Sequence, residues 1–274
     1  MSQQQKNGNK HILIFIVSTL LVSWLMTFIF LVVLNDKKLG IGLISYIMLV
    51  PAAIAIILKK FEGKPIFKGV IRGTNFKSLA FGILFPVAFI FLCSIISIAA
   101  GLGRFDDNKL PDLRGCITIL ITIFTALIVG FGEEYGWRGY LLPSLTQKYG
   151  KIKASTIVGI VWGLYHAPGL YLLARLTGVG DPLSVAAVQA CAAFAVSFSF
   201  AYCYYLSGSI FSVMIFHSIW NNINTRVLGD IYTNTGGIIE GNIFIINGEG
   251  VLGLVLGLIF MICVIWRFRV SSSA

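Results

Sequence analysis

Three apolar stretches of this chain carry side chains capable of chemistry. GFGEEYGWRGYLLP holds Glu133, Glu134 and Arg138. VWGLYHAPGLY holds Trp162 and His166, two residues before Pro168. FSVMIFHSIWNNINTR holds His217 and Asn221. An ionisable side chain inside an apolar helix costs about 2.5–3.5 kcal/mol at its centre on insertion scales. Such residues usually face a cavity. The chain has 3 histidines, and His11 lies before the first apolar run. Both remaining histidines and the Glu–Glu pair therefore sit where apolar residues are expected.

Helical spacing sorts these residues. Glu133 and Glu134 are about 100° apart on a helix, so only one can face a given point. Glu134 and Arg138 are four apart in the favourable order for an ion pair. That leaves Glu133 as the chemical group. The bland alternative, two glutamates at a helix C-terminus, opposes the macrodipole. Trp162 lies four residues before His166, on the same face, and is expected to pack over the imidazole. Pro168 removes a backbone hydrogen bond and frees a carbonyl. His217 and Asn221 share a face. A carboxylate beside an imidazole can activate water, and a second imidazole with an amide can donate to an oxyanion. That set suits peptide hydrolysis with water as nucleophile. No Ser or Cys stands beside a base in a recognisable motif. Glu133, His166 and His217 are also residue types that bind zinc, although no H-E-x-x-H is present. No cofactor is required by the water-based reading, and zinc stays open.

The elements that must hold these groups are membrane helices. Of 274 residues 57% are hydrophobic and 12% charged, which excludes an ordinary soluble domain. Apolar runs at 12–34, 40–58, 78–103, 116–137, 155–174, 183–206, 209–228 and 250–266 read as spans. They are too long and unalternating for barrel strands. The fold class is an all-α polytopic helical bundle of about eight spans, a single membrane domain over 1–274 with a polar tail at 1–11. The first run is too long for a signal-peptide core. The segments 1–11, 59–77, 138–154 and 267–274 carry 14 lysines and arginines and the remainder 7, of 21 in all. The positive-inside rule then puts both termini in the cytoplasm. The basic stretch KKFEGKPIFKGVIRGTNFK reads as an amphipathic linker among lipid headgroups. The net charge of +10 fits lipid contact and topology, and no basic stripe interleaved with aromatics points to nucleic acid. Five cysteines without a C-x-x-C pair support neither disulfides nor a cysteine zinc site.

As a set, the motifs resemble those of the CAAX-protease and bacteriocin-processing (CPBP) family of intramembrane proteases, also called abortive-infection proteins. E-E-x-x-x-R matches Glu133, Glu134 and Arg138. F-x-x-x-H corresponds to Trp162 and His166, with tryptophan where the family usually has phenylalanine. H-x-x-x-N matches His217 and Asn221. The motifs occur in order on separate helices across roughly 116–228. The resemblance implies that Glu133 and His166 activate water, that His217 and Asn221 stabilise the oxyanion, and that Arg138 pairs with Glu134 structurally. It implies an endopeptidase acting near the cytoplasmic face on a membrane-tethered peptide or protein, by CAAX-type processing, bacteriocin maturation or self-immunity. Two other readings remain: an immunity or partner-binding membrane protein independent of hydrolysis, and a transporter with a proton relay, against which the lack of an inverted repeat counts.

Overall fold

The computed structural model describes residues 3–273 apart from Asn35, with side chains from Asn9 to Val270. Lys6, counted above on the basic side, lies outside the described side chains.

Helix α1 (Gln3–Phe28) continues through a π turn at Ile29–Val33. Its two faces follow four-residue spacing. Leu13, Val17, Leu21 and Leu25 are exposed, whereas Phe15, Thr19, Ser23 and Thr27 are buried. A lipid-facing apolar row and an inward row of small or polar residues are what a bundle helix in a membrane needs. Helix α2 (Lys37–Phe61) starts on an Asp36 cap and tightens to 3-10 geometry over Ile44–Leu49. Helix α3 (Phe76–Ala99) opens on a capping box in which Asn75 and Ser78 satisfy each other's backbone. Helices α4 (Leu113–Gly136), α5 (Leu142–Thr177), α6 (Pro182–Tyr205), α7 (Phe211–Leu228) and α8 (Val251–Ser273) complete the bundle.

Several boundaries differ from the hydropathy reading. The third run was expected to reach residue 103, but α3 stops at Ala99 and Gly101 turns the chain with φ +68°. Gly103–Phe105 then forms a strand, β1, paired antiparallel with β2 (Ile239–Gly241). The expected loop after residue 137 is helical. A π turn at Trp137–Leu141 carries α4 straight into α5, because Pro143 falls where a helix start tolerates it. The break comes at Gly150, whose φ of 75° and ψ of 171° only glycine adopts easily. Among the described residues 6 stretches are long and apolar enough to cross a membrane, rather than eight. Leu113–Thr177 merges two expected spans, and α7 is absent from the 6 because of its polar cluster. The all-α membrane bundle stands.

Between Glu62 and Asn75 the basic connector is irregular, and it is tied to the start of α7 by Ile210 N–H to Gly69 O at 3.0 Å and Phe211 N–H to Val70 O at 3.0 Å. The Tyr135 hydroxyl donates to Ile66 O at 2.5 Å. Beside it, Glu62 accepts from Tyr140 at 2.8 Å, contacts His11 at 2.9 Å and pairs with Lys64 at 2.7 Å. Burial works to raise the Glu62 carboxyl, but these partners together hold it below its ordinary value.

Candidate active site

Close helix contacts position the site. A Cβ on Gly132 would stand 2.4 Å from Met48 O, and one on Gly136 would stand 2.4 Å from the Pro51 Cβ. These glycines, four apart, seat α4 against α2 and bracket Glu133 and Glu134. A Cβ on Gly163 would meet Ala190 O at 2.6 Å, so α5 lies against α6 and delivers Trp162 and His166. On the third side Gly82 of α3 approaches Ser212 O of α7, where a Cβ would come within 2.5 Å. Small residues at such crossings are the usual means of close approach in membranes.

The two glutamates have separate surroundings, and both are buried. Glu134 accepts from Arg138 Nη1 through both oxygens, each at 3.0 Å. Arg138 is fully buried. Its Nη2 donates to Ser197 at 3.1 Å, and its guanidinium lies 4.5 Å and 4.7 Å from the Trp162 and Phe200 ring centroids. Glu134 Oε1 also lies 2.7 Å from His217 Nδ1. Glu133 makes no such pair. Its Oε2 accepts from the Trp162 indole at 2.7 Å and from the Trp137 indole at 3.3 Å. Its Oε1 faces His166 Nε2 at 4.0 Å. Two indoles thus hold one carboxylate oxygen and leave the other toward the imidazole.

His166 Nδ1 lies 2.8 Å from the Trp162 carbonyl, an acceptor, so Nδ1 carries a proton, and in the neutral ring Nε2 keeps its lone pair. Trp162 meets the imidazole edge-on at 76° and 5.3 Å, rather than lying over it as expected, and donates to Glu133 instead. The carbonyl that Pro168 frees is that of Leu164, and the Trp24 indole donates to it at 3.1 Å. His217 was paired with Asn221 in the sequence reading; its Nδ1 is engaged by Glu134, and its other nitrogen is left for the cavity it lines. Asn221 lines the same cavity.

This cavity has a volume of about 320 Å³. Glu133, His166, His217 and Asn221 share its wall with Thr27, Ser45, Gly169, Thr225 and Thr233. From the site the lining continues along α5 toward Thr177 and along α7 toward the 229–249 loop. It includes nothing from the basic segments 59–77 or 138–154. The cavity therefore reaches toward the face opposite the basic one, whereas the sequence reading placed the action near the basic face.

Among the described residues no three His, Cys, Asp or Glu side chains form a group that could hold a metal ion. Glu133 and His166 face each other, but His217 is turned to Glu134. The set Glu133, His166 and His217 does not fit a zinc site in this arrangement.

The sequence reading missed Trp137 as a Glu133 donor, although the two are four apart on one helix. It missed Ser197, Gln189, Tyr232 and Glu249, for which no local spacing is a signal. The small-x-x-x-small pairs Gly132/Gly136 and Gly159/Gly163 were visible signs of close packing.

Long apolar helices, lipid-facing rows and a buried carboxylate–imidazole centre define an integral multi-pass membrane protein of the all-α class. Residues 116–223 match the family model described as Type II CAAX prenyl endopeptidase Rce1-like. The curated CAAX prenyl protease 2 of Methanococcus maripaludis is 32% identical over 99 residues, 36% of this chain and 36% of that protein. The chain thus matches only about a third of that relative's length. Over this segment the chain is similar to the Rce1-like type II CAAX prenyl endopeptidases.

Proposed function

We propose that this protein is an intramembrane endopeptidase that hydrolyses a peptide bond in a membrane-associated protein or peptide. The observation that carries the reading is Glu133. One of its oxygens is fixed by two indoles, and the other faces an imidazole lone pair at 4.0 Å on a cavity wall.

A water at that wall can donate one hydrogen to Glu133 Oε1 and the other to His166 Nε2. Its lone pair is then free for a carbonyl carbon. Glu133 takes the proton as the C–O bond forms, and the carbonyl electrons move to oxygen. His217 and the Asn221 amide receive that oxyanion. With Nδ1–H committed to Glu134, His217 can donate from Nε2 only as the imidazolium. Collapse breaks the C–N bond, and Glu133 returns its proton to the leaving amine. Glu134 and Arg138 act as positioning residues, since they reach the cavity only through His217 and Trp162. This is glutamate-type chemistry, with no step assigned to a metal.

Two substrate classes suit the reading. The name of the archaeal relative suggests a prenylated CAAX-type terminus. Bacteriocin maturation or self-immunity would use a leader-type peptide. Both termini are proposed to be cytoplasmic, which turns the cavity mouth outward and favours the second class. The test is cleavage of quenched peptides by purified wild type and Glu133→Ala, using a farnesylated CAAX peptide and leader-type peptides, each with and without chelator. Chelator-resistant cleavage by wild type alone supports the reading. Equal cleavage by Glu133→Ala overturns it, and loss to chelator with restoration by zinc overturns its metal-free form.

A further inference from the structure

A second polar centre stands on the cavity wall. Glu249 Oε1 accepts from the Trp220 indole at 3.0 Å. Its Oε2 accepts from the Tyr232 hydroxyl at 3.2 Å and from the Gln189 amide at 3.3 Å. All four residues line the cavity. Their arrangement resembles the Glu133 centre in that neutral donors hold a carboxylate. It differs in that no imidazole faces the carboxylate.

Two further features show what this wall lacks. Gln189 is only 2% exposed, and its Oε1 is buried with no hydrogen-bond partner. A buried acceptor left unpaired costs about 1–3 kcal/mol, so a donor brought by a ligand would recover that. The cavity wall also contains Glu133, Asp230 and Glu249 but no lysine or arginine. A cleft with carboxylates and low-dielectric walls draws cations. Tyr232 and Glu249 lie beyond residue 223, outside the stretch matched by the family model.

We infer that Glu249 and Gln189 form a specificity subsite for a cationic group, a primary ammonium or guanidinium, on the peptide bound in the cavity. The group would place its charge against Glu249 and an N–H on Gln189 Oε1. The inference rests on the endopeptidase reading for its peptide but not for its cation. A lysine or arginine side chain and a free peptide N-terminus share the required chemistry.

The test uses the full chain in nanodiscs and one leader-type peptide in four forms. One residue beside the scissile bond is lysine or norleucine, and the N-terminus is free or acetylated. Binding is read by fluorescence anisotropy on Glu133→Gln, and cleavage on wild type. The expected result is at least tenfold tighter binding of a cationic form than of the neutral acetylated norleucine form. The same preference should appear in KM with kcat unchanged. Glu249→Gln should reduce it below twofold while still cleaving the neutral peptide. The arm that carries the preference identifies side chain or N-terminus. Tight, cation-selective binding without cleavage supports the subsite and sinks the peptidase reading. Equal or absent binding of all four forms overturns the subsite whether or not cleavage occurs. Preference unchanged in Glu249→Gln also overturns it, and the charge swap on the peptide keeps the test valid should that variant fail to fold.

Discussion

Among the described residues Arg138 is the largest fully buried charged side chain, and Glu134 is the counter-charge in contact with it. Glu134 and Arg138 are both fully buried, and Nη1 reaches both carboxylate oxygens at 3.0 Å. In Glu134→Leu the guanidinium keeps only Ser197 and two ring faces, all of which it already has. Nothing new compensates the charge, so the loss should approach the about 3–5 kcal/mol seen when one partner of a buried pair is removed. At about 2–4 °C per kcal/mol for a chain of this general size, the melting temperature should fall by about 6–20 °C. Arg138→Met should cost somewhat less, because the buried Glu134 carboxylate it leaves keeps His217 at 2.7 Å. The double variant removes both charges. It should cost less than the sum by at least about 2 kcal/mol, retaining mainly the about 1–3 kcal/mol for the His217 nitrogen that loses its acceptor. Thermal unfolding in detergent, followed by tryptophan fluorescence, measures the full cycle. Single variants that each lose under about 1 kcal/mol, or a double variant equal to the sum, would refute the reasoning.

Gly136→Ala sets a Cβ 2.4 Å from the Pro51 Cβ, so α4 must move and Glu133 with it. Because small misplacements of reacting groups are costly, a loss of about 10²-fold in kcat is expected, measured on any cleaved peptide. At the surface, Glu240 pairs with Lys109 at 2.8 Å and Arg104 at 2.6 Å, contacts that lower its carboxyl to about 2 from an ordinary 4.5. Because the folded value is depressed, the pair stabilises β1–β2 above pH 4.5 and that stabilisation disappears as pH falls from 4.5 toward 2. Amide exchange of Gly103–Phe105 should accelerate in that window beyond its intrinsic rate, and should not in Glu240→Gln. For topology, single cysteines at Lys38 and Lys148 in a chain without native cysteines should label from outside and inside the cell respectively; the reverse would put the cavity mouth at the cytoplasm.

The parts of the site legible in sequence were those where chemistry violates its surroundings. Glu133, His166 and His217 are costly in apolar helices, and four-residue spacing linked Glu134 to Arg138, a pairing that matches the observed contact. Spacing could not reveal that Glu134 also reaches His217 across 83 residues, because tertiary packing sets that contact. The same holds for Glu249 and Gln189, 60 residues apart. The apolar runs located the long helices well, including 209–228, where α7 forms at Phe211–Leu228 despite its polar cluster. The reading failed between α4 and α5, where the helix runs on through a π turn despite Gly136, Gly139 and Pro143. The Gly150 kink does the work expected of a loop.

The most direct test is single-turnover cleavage by wild type and Glu133→Gln, with melting temperatures recorded for both. The glutamine keeps an oxygen for the Trp162 and Trp137 indoles and loses only the base. The account predicts a folded variant whose cleavage rate falls by about 10²–10⁴-fold, the usual contribution of a general base. A Glu133→Gln protein that cleaves at the wild-type rate would contradict it.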